Sequence, residues 1–531
     1  MTVRGNYRSG GNAIYFDSYP SKCSKTQYIS FADIMQGELF SYTYHLPDLR
    51  LTLALFTGIL SQRIREKEIP KQVLYKILQN IIKMALSIFF QKVEIRHKEN
   101  FPRHGPVLFV ANHPDSQMDA FIMSSAIKRK VHYIAHIGLF TRKLQAWLLR
   151  NCGVIAVRRQ REKSDPVDRN IDAFQECYGV LERGGIIGIF PEGESDMPRQ
   201  VKRIKTGAAR IVLESERRNN DKLGVVLVPV GLYFFSRSRF RSRVLVNVGR
   251  PIDLQPYFSL NKTDNFEAVT QLTAKIQRSL ENLTVHVRHS ELDPLVKGIE
   301  EIYRDELMTQ TTADHKSSKK IVAEFVITQK IADCVAYYHV HDPQKVREME
   351  EKIADYNRKL KRLHLKDIMV REKTSIQKLF RAELSNIARA IIGSPLAAYG
   401  VLNNFFPYRI TEFIARKFID DRTKILMALL VGGGITFILF YGIQIFLVWY
   451  LKGYLWAVLY FFSLPLSGFF ALGYIREFRK IQERISFSFF LFTNRHLICK
   501  MRLIRNRLIS EMNSFKDEYL EIIESTRTTG K

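Results

Sequence analysis

The sequence has little with which to cross-link itself or hold a metal. Among 531 residues there are 5 cysteines, an odd number, spread as Cys23, Cys152, Cys177, Cys334 and Cys499 with no Cys-x-x-Cys pair. This speaks against a disulfide framework and against a structural zinc. His339 and His341 near Cys334, and His496 near Cys499, complete no four-ligand set, so no metal is expected. The first residues, Met1 to Gly11, lack the apolar core of a secretory signal, and the bulk of the chain is therefore expected on the reducing, cytoplasmic side. There is no Gly-x-Ser-x-Gly elbow, which leaves a lipid hydrolase without its nucleophile. Acidic residues are few beside basic ones: 53 Asp and Glu against 81 Lys and Arg give a net charge of +28. That excess favours anionic partners, whether nucleic acid, a membrane surface or phosphorylated small molecules. With no recognisable nucleic-acid module in the chain, a nucleic-acid partner is not expected.

Apolar residues, by contrast, are plentiful. At 46% hydrophobic and 25% charged the chain can bury a core, and its length calls for two to four units. From Ile425 to Leu451 there is no charge, and Lys452-Gly453 separates this run from a second, Tyr454 to Ile475. As a helix the first run, roughly 27 residues, is about 40 Å long, more than the ~30 Å hydrocarbon core of a bilayer. The second, roughly 22 residues, also suffices. Arg416, Lys417, Arg422 and Lys424 precede the pair, Arg476, Arg479, Lys480 and Arg484 follow it, and Lys452 is the one charge in the turn. The positive-inside rule then gives a hairpin of two spans (about 425–451 and 454–475) with both ends cytoplasmic. Leu51 to Leu60 is too short to span. Gln72 to Gln91 has helical amphipathic spacing and predicts a helix that either lies on the membrane or caps the next domain.

Between Val93 and Leu254 short apolar runs, such as Val107 to Ala111, Ile186 to Phe190, Val225 to Val230 and Val244 to Val248, alternate with helix-favouring segments. That pattern predicts an α/β fold with a largely parallel, covered sheet. From Asn261 to Leu384, Gly298 is the only glycine and charge is dense, which reads as a helical region. The expected organisation is an N-terminal extension of unknown role (1–65), an amphipathic helix (66–92), the α/β domain (93–260), a charged helical region (261–395), a membrane region (396–475) and an amphipathic helical tail (476–531).

The chemistry collects at the ends of strands. Val107 to Ala111 delivers Asn112-His113-Pro114-Asp115, with Asp119 further on. Pro114 keeps His113 out of helical geometry and suits the first turn of a helix, so His113 sits at a strand-to-helix junction, where α/β sheets place active sites. An imidazole with a carboxylate behind it is a general base. Asp119 or Asp115 could supply that carboxylate. Arg158 and Arg159 end another strand with two guanidinium groups suited to a phosphate. A third strand leads into Pro191-Glu192-Gly193, where the glycine permits close backbone approach, followed by the basic series Arg199, Lys202, Arg203, Lys205 and Arg210.

In this order and spacing the motifs resemble the glycerolipid acyltransferase family, which esterifies glycerol 3-phosphate or lysophosphatidate from acyl thioesters. Asn112, His113 and Asp119 resemble its first signature, Gly153 and Arg159 its second, Phe190 to Gly193 its third, and Val228-Pro229-Val230 its fourth. Five residues rather than four lie between His113 and Asp119, as in a branch of dual glycerol-3-phosphate/dihydroxyacetone-phosphate enzymes and related bacterial proteins. On a helix that extra residue turns a side chain by about 100°, so an irregular first turn is required if Asp119 is the partner. Glu194-Ser195-Asp196 replaces the family's Thr-Arg-Ser; the missing arginine's role passes to Lys205, with Arg199 or Arg203 in reserve.

The resemblance implies a membrane-bound O-acyltransferase of phospholipid biosynthesis. His113 and Asp119 would be catalytic, Arg159, Pro191, Glu192, Gly193 and Lys205 would bind the acceptor, and Pro229 would lie on the acyl path. Acyl-CoA or acyl-carrier protein would be the co-substrate, with no cofactor. The partners would be an anionic phospholipid membrane, an acyl thioester and a phosphorylated glycerol acceptor, and the membrane a bacterial inner membrane or the endoplasmic reticulum. The alternative is a catalytically idle, membrane-anchored lipid-binding or scaffold protein.

Overall fold

The computed structural model describes residues 70–158, 171–193, 199–236, 241–311, 317–371, 376–418 and 425–529. The N-terminal extension (1–65) and Arg159 lie outside them.

The most apolar short runs become the middle of one sheet. Its strands are β1 (Lys92–Arg96), β2 (Val107–Ala111), β3 (Val131–His136), β4 (Ile155–Val157), β5 (Ile186–Ile189), β6 (Val226–Phe234) and β7 (Arg243–Val248), in the spatial order β1-β7-β6-β2-β5-β3-β4. Only β6 and β7 pair antiparallel; the other five pairings are parallel. All five residues of β2 are fully buried, as a central strand covered on both faces requires. Val107, Phe109 and Ala111 join one core with Leu86, Met118 and Ile122. Leu108 and Val110 join the other with Leu181, Val212 and Leu272. These covering residues come from α1 (Lys71–Phe89), α2 (Gln117–Ala126), α4 (Ile171–Glu182), α5 (Gly207–Arg218) and α7 (Asn265–Leu283); α3 (Lys143–Cys152) and α6 (Gln255–Thr263) complete the layers. β6 runs four residues beyond the expected Val230, because Gly231 to Phe234 pair with β7. Gly231 has no alternative residue there: an added Cβ would lie 2.1 Å from the Leu283 carbonyl oxygen.

The two readings of the amphipathic helix each describe one face of α1. Inward, Leu86 and Phe89 are buried, and Gln79 Nε2 donates to the carbonyls of Ser124 and Ile127 at 2.8 and 3.0 Å. Outward, Val73, Ile77, Ile81, Met84 and Ile88 form an exposed apolar stripe at helical spacing.

The helical region comprises α8 (Asp293–Thr311), α9 (Ser317–His341), α10 (Pro343–Arg362) and α11 (Asp367–Arg371). Three long helices follow, α12 (Ile376–Phe418), α13 (Ile425–Lys452) and α14 (Tyr454–Thr493), and then α15 (Arg495–Thr529), which returns to the helical region. There Ile498 and Met501 share a core with Phe325 and Tyr356, and buried Arg505 pairs with Asp367 at 2.9 Å. Among the described residues, two stretches are long and apolar enough to cross a membrane, Leu429–Lys452 and Tyr454–Ile485, with mean hydropathy 2.0 and 1.8. Only 0% and 22% of them is buried within the chain, unlike the core helix of a soluble domain.

Candidate active site

The site is assembled where β2 stops. Asn112 ends the strand by bridging to β6: its amide donates to the Leu232 carbonyl at 3.0 Å, and its carbonyl accepts the Leu232 N–H at 2.7 Å. His113 follows, its backbone N–H donating to Glu192 Oε1 at 3.0 Å. Its Nδ1 lies 2.9 Å from Asp119 Oδ2, and Asp119 is fully buried. The irregular turn needed to bring them together is present: Ser116, immediately before α2, has φ 48° and ψ −126°. Asp119 then sits in the first turn of α2, where the positive end of the helix favours a carboxylate. Asp115, the rival partner, contributes its backbone N–H to the same Asp119 Oδ2 at 2.9 Å.

The Phe190 ring stacks on the imidazole with centroids 4.4 Å apart and planes 17° off parallel. With Nδ1 committed to Asp119, the neutral ring keeps its lone pair on Nε2, as a general base needs. Glu192 is buried and ties together two loop segments of the site, since Oε2 also accepts the Lys202 N–H at 3.3 Å. Burial pushes its carboxyl above the usual range, and the two backbone N–H groups partly offset this. Pro191 is buried behind it, its carbonyl accepting the Lys205 N–H at 2.9 Å. Gly193 has φ +71°, and a Cβ there would lie 2.9 Å from Lys205 Nζ; the bare glycine lets the exposed lysine cross this turn.

His113 and Glu192 line a small open cleft whose walls include Arg199, Leu232, Tyr233 and Val285. Burial pushes the Tyr233 hydroxyl up to about 12, so it stays protonated at physiological pH. Arg199 Nε pairs with Asp293 at 2.6 Å and Nη1 with Glu300 at 2.7 Å, tying the cleft wall to α8. Pro229 is buried opposite Val110 in the sheet, and β6 reaches the cleft through Leu232 to Phe234. Arg203 and Lys205 are exposed. Gly153 takes φ +81° as the C-cap of α3, where a Cβ would strike His132. Nothing in the sequence pointed to the Asn112 bridge, the Phe190 stack or the Arg199 pairing, all of which depend on residues far away in the chain. Among the described residues His289, Glu291 and His339 could hold a metal, their ligand atoms lying within 4.8 Å of one another; none of the three lines the cleft.

Comparison with known proteins places this domain. Residues 92–233 match the Acyltransferase family model. The chain is 28% identical over 224 residues to glycerol-3-phosphate O-acyltransferase 2 of Saccharomyces cerevisiae, covering 42% of this chain and 28% of that protein. It is 25% identical over 228 residues to a 1-acyl-sn-glycerol-3-phosphate acyltransferase of Borreliella burgdorferi, covering 43% of this chain and 79% of the relative. The match thus spans less than a third of the yeast relative. The crystal structure of a 1-acyl-sn-glycerophosphate acyltransferase from Thermotoga maritima aligns at 19% identity and TM-score 0.32, over 43% of this chain and 88% of that one.

Proposed function

The chain carries an acyltransferase-family domain at residues 92–233, and from that premise we propose that it moves a fatty acyl group from an acyl thioester to a hydroxyl of glycerol 3-phosphate or 1-acylglycerol 3-phosphate. The observation that carries this reading is the 2.9 Å contact between His113 Nδ1 and buried Asp119 beside an open cleft. His113 Nε2 takes the proton of the acceptor hydroxyl as that oxygen attacks the thioester carbonyl. A C–O bond forms, the C–S bond breaks, and the imidazolium returns its proton to the departing thiolate. Asp119 holds the ring and stabilises its charged form. Such base catalysis is worth about 10² to 10⁴ in rate, with positioning and oxyanion stabilisation supplying the rest. No covalent acyl-enzyme and no cofactor enters.

Lys205 and Arg159 hold the acceptor phosphate, with Pro191, Glu192 and Gly193 shaping that side. The apolar wall from Leu232 to Phe234 faces the acyl chain. The two apolar helices support an integral membrane protein, and their flanking charges favour a catalytic domain on the cytoplasmic side of a bacterial inner membrane or the endoplasmic reticulum. The outer stripe of α1 rests on the same anionic lipid surface.

The experiment is an acceptor screen on detergent-solubilised protein with labelled acyl-CoA and acyl-carrier protein. Labelled lysophosphatidate or phosphatidate supports the reading and identifies the acceptor. Phospholipid binding without thioester consumption on any glycerol phosphate overturns it in favour of an idle scaffold.

A further inference from the structure

We propose that His289, Glu291 and His339 bind a divalent transition-metal ion, Zn²⁺ first among them, which staples the outer wall of the cleft to the end of α9. The ion takes no part in proton transfer, since none of the three side chains lines the cleft that His113 and Glu192 share.

In the sequence only part of this set is adjacent. His339 and His341 stand two apart on α9, and on a helix such residues point about 200° away from each other. The fold engages His341 elsewhere: its ring stacks on Tyr337 with centroids 4.1 Å apart, and its Nδ1 donates to the Tyr337 carbonyl at 2.9 Å. His339, in the last turn of α9, instead receives two donors from the turn that precedes α8. There His289 has an extended backbone, φ −114° and ψ 112°, and its carbonyl accepts the Leu292 N–H at 2.9 Å. The single turn of 3-10 helix that follows, Ser290–Leu292, carries Glu291 back towards the imidazole, with Oε1 3.6 Å from His289 Nδ1. Leu292 and Asp293 are buried beneath it, and Asp293 is held by Arg199 at 2.6 Å, so the turn has a fixed base.

The rings of His289 and His339 lie 4.7 Å apart, centroid to centroid, and 48° off parallel. One nitrogen from each and one Glu291 oxygen fall within 4.8 Å of one another. Two imidazoles and a carboxylate suit Zn²⁺, at bond lengths of about 2.0 to 2.2 Å and with a fourth position left to water. Donors around such an ion stand about 3.3 Å apart, so the set closes by side-chain adjustment alone. Room for that exists, because His289 and Glu291 are 42% and 65% exposed. Ca²⁺ and Mg²⁺, which take oxygen ligands, fit the two imidazoles poorly.

The staple matters for what it holds. The chain leading to His289 forms the outer wall of the cleft: Thr284 and Val285 line it, the Val287 N–H donates to the Arg199 carbonyl at 2.6 Å, and the Arg288 carbonyl accepts Gln200 Nε2 at 2.7 Å. An ion shared with His339 fixes this chain to α9 and so stabilises the folded state by mass action.

The test is titration of the full solubilised chain, stripped of metal by a chelator, with Zn²⁺ and with Co²⁺. Wild-type protein should bind one equivalent at micromolar concentration with a rise in thermal midpoint, and its Co²⁺ spectrum should lack the thiolate charge-transfer band that binding at a cysteine gives. His339→Ala and Glu291→Ala should each weaken binding by about 100-fold or more, beyond the cost of losing an outer hydrogen-bond partner, and should abolish the rise. His341→Ala, outside the set, should keep both. Circular dichroism of the metal-free variants separates lost ligation from lost fold, and the exposed Glu291 can be removed without disturbing the core. Absence of saturable binding by wild type overturns the proposal, as does full binding by the His339→Ala variant or a thiolate band. Because the readouts are metal affinity and thermal midpoint, each result stands whether or not the protein transfers acyl groups.

Discussion

The cleft and the three-helix region each keep polar groups away from bulk water, by opposite means. In the cleft the groups are ionisable: Asp119 is held by a backbone N–H and an imidazole, Glu192 by two backbone N–H groups, and Arg199 by two carboxylates. Between α12, α13 and α14 the groups are neutral: asparagine and glutamine amides, tyrosine and threonine hydroxyls, and the carbonyls that proline leaves free. The difference fits what each region is proposed to do. A site that moves protons needs groups whose charge can change, and it accepts the desolvation cost by ringing them with fixed dipoles. A scaffold in lipid needs satisfied backbone and gains nothing from charge.

That contrast can be broken from either side. In the cleft, Asp119→Asn keeps the size of the side chain but removes the charge that fixes the His113 tautomer. The expected loss is about 10² to 10⁴ in kcat, with an unchanged circular dichroism spectrum; near-normal turnover would make the pair structural. Next comes Arg199→Ala, which takes from Asp293 and Glu300 their most buried partner and leaves them Lys297 and Arg304. Breaking such a pair costs about 3 to 5 kcal/mol, read as a lower denaturant midpoint of the solubilised protein, and a loss under 1 kcal/mol would show the pair to be dispensable. In the helices, Gln444→Leu takes the donor from the Asn403 carbonyl and should cost about 1 to 3 kcal/mol, visible as lower thermal stability in lipid nanodiscs. An unchanged transition would mean the carbonyl finds another partner.

The smallest effect is one of pH. Burial raises the Glu192 carboxyl in the folded chain, so the folded state binds the proton more tightly than the unfolded one. Stability is then fully present below the unfolded value and is lost as pH rises through the raised one. Glu192→Gln removes this titration, and the ratio of variant to wild-type stability should climb with rising pH across that window; a flat ratio would contradict the burial.

Much of this was legible in the sequence, for reasons that also mark its limits. The runs that became β2 and β5 carry no polar side chain and admitted few other readings. β1, Lys92-Val-Glu-Ile-Arg, was hidden because charges alternate along it and it gains strand character only from its partner β7. His113 and Asp119 were recognisable as a pair, but the choice against Asp115 rested on a positive φ at Ser116, where no glycine announces it. Arg199 looked like one cation in a basic run until the fold brought Asp293 and Glu300 to it. The inner side of α12 was obscured by the same prolines and asparagines that its neighbours satisfy.

The central claim is that one imidazole does the proton transfer. The most direct test is labelled-acyl transfer to the acceptor found in the screen, comparing solubilised wild-type protein with His113→Ala at matched folded concentration. The account predicts turnover reduced to background with substrate binding retained. Transfer by the variant at the wild-type rate would contradict it.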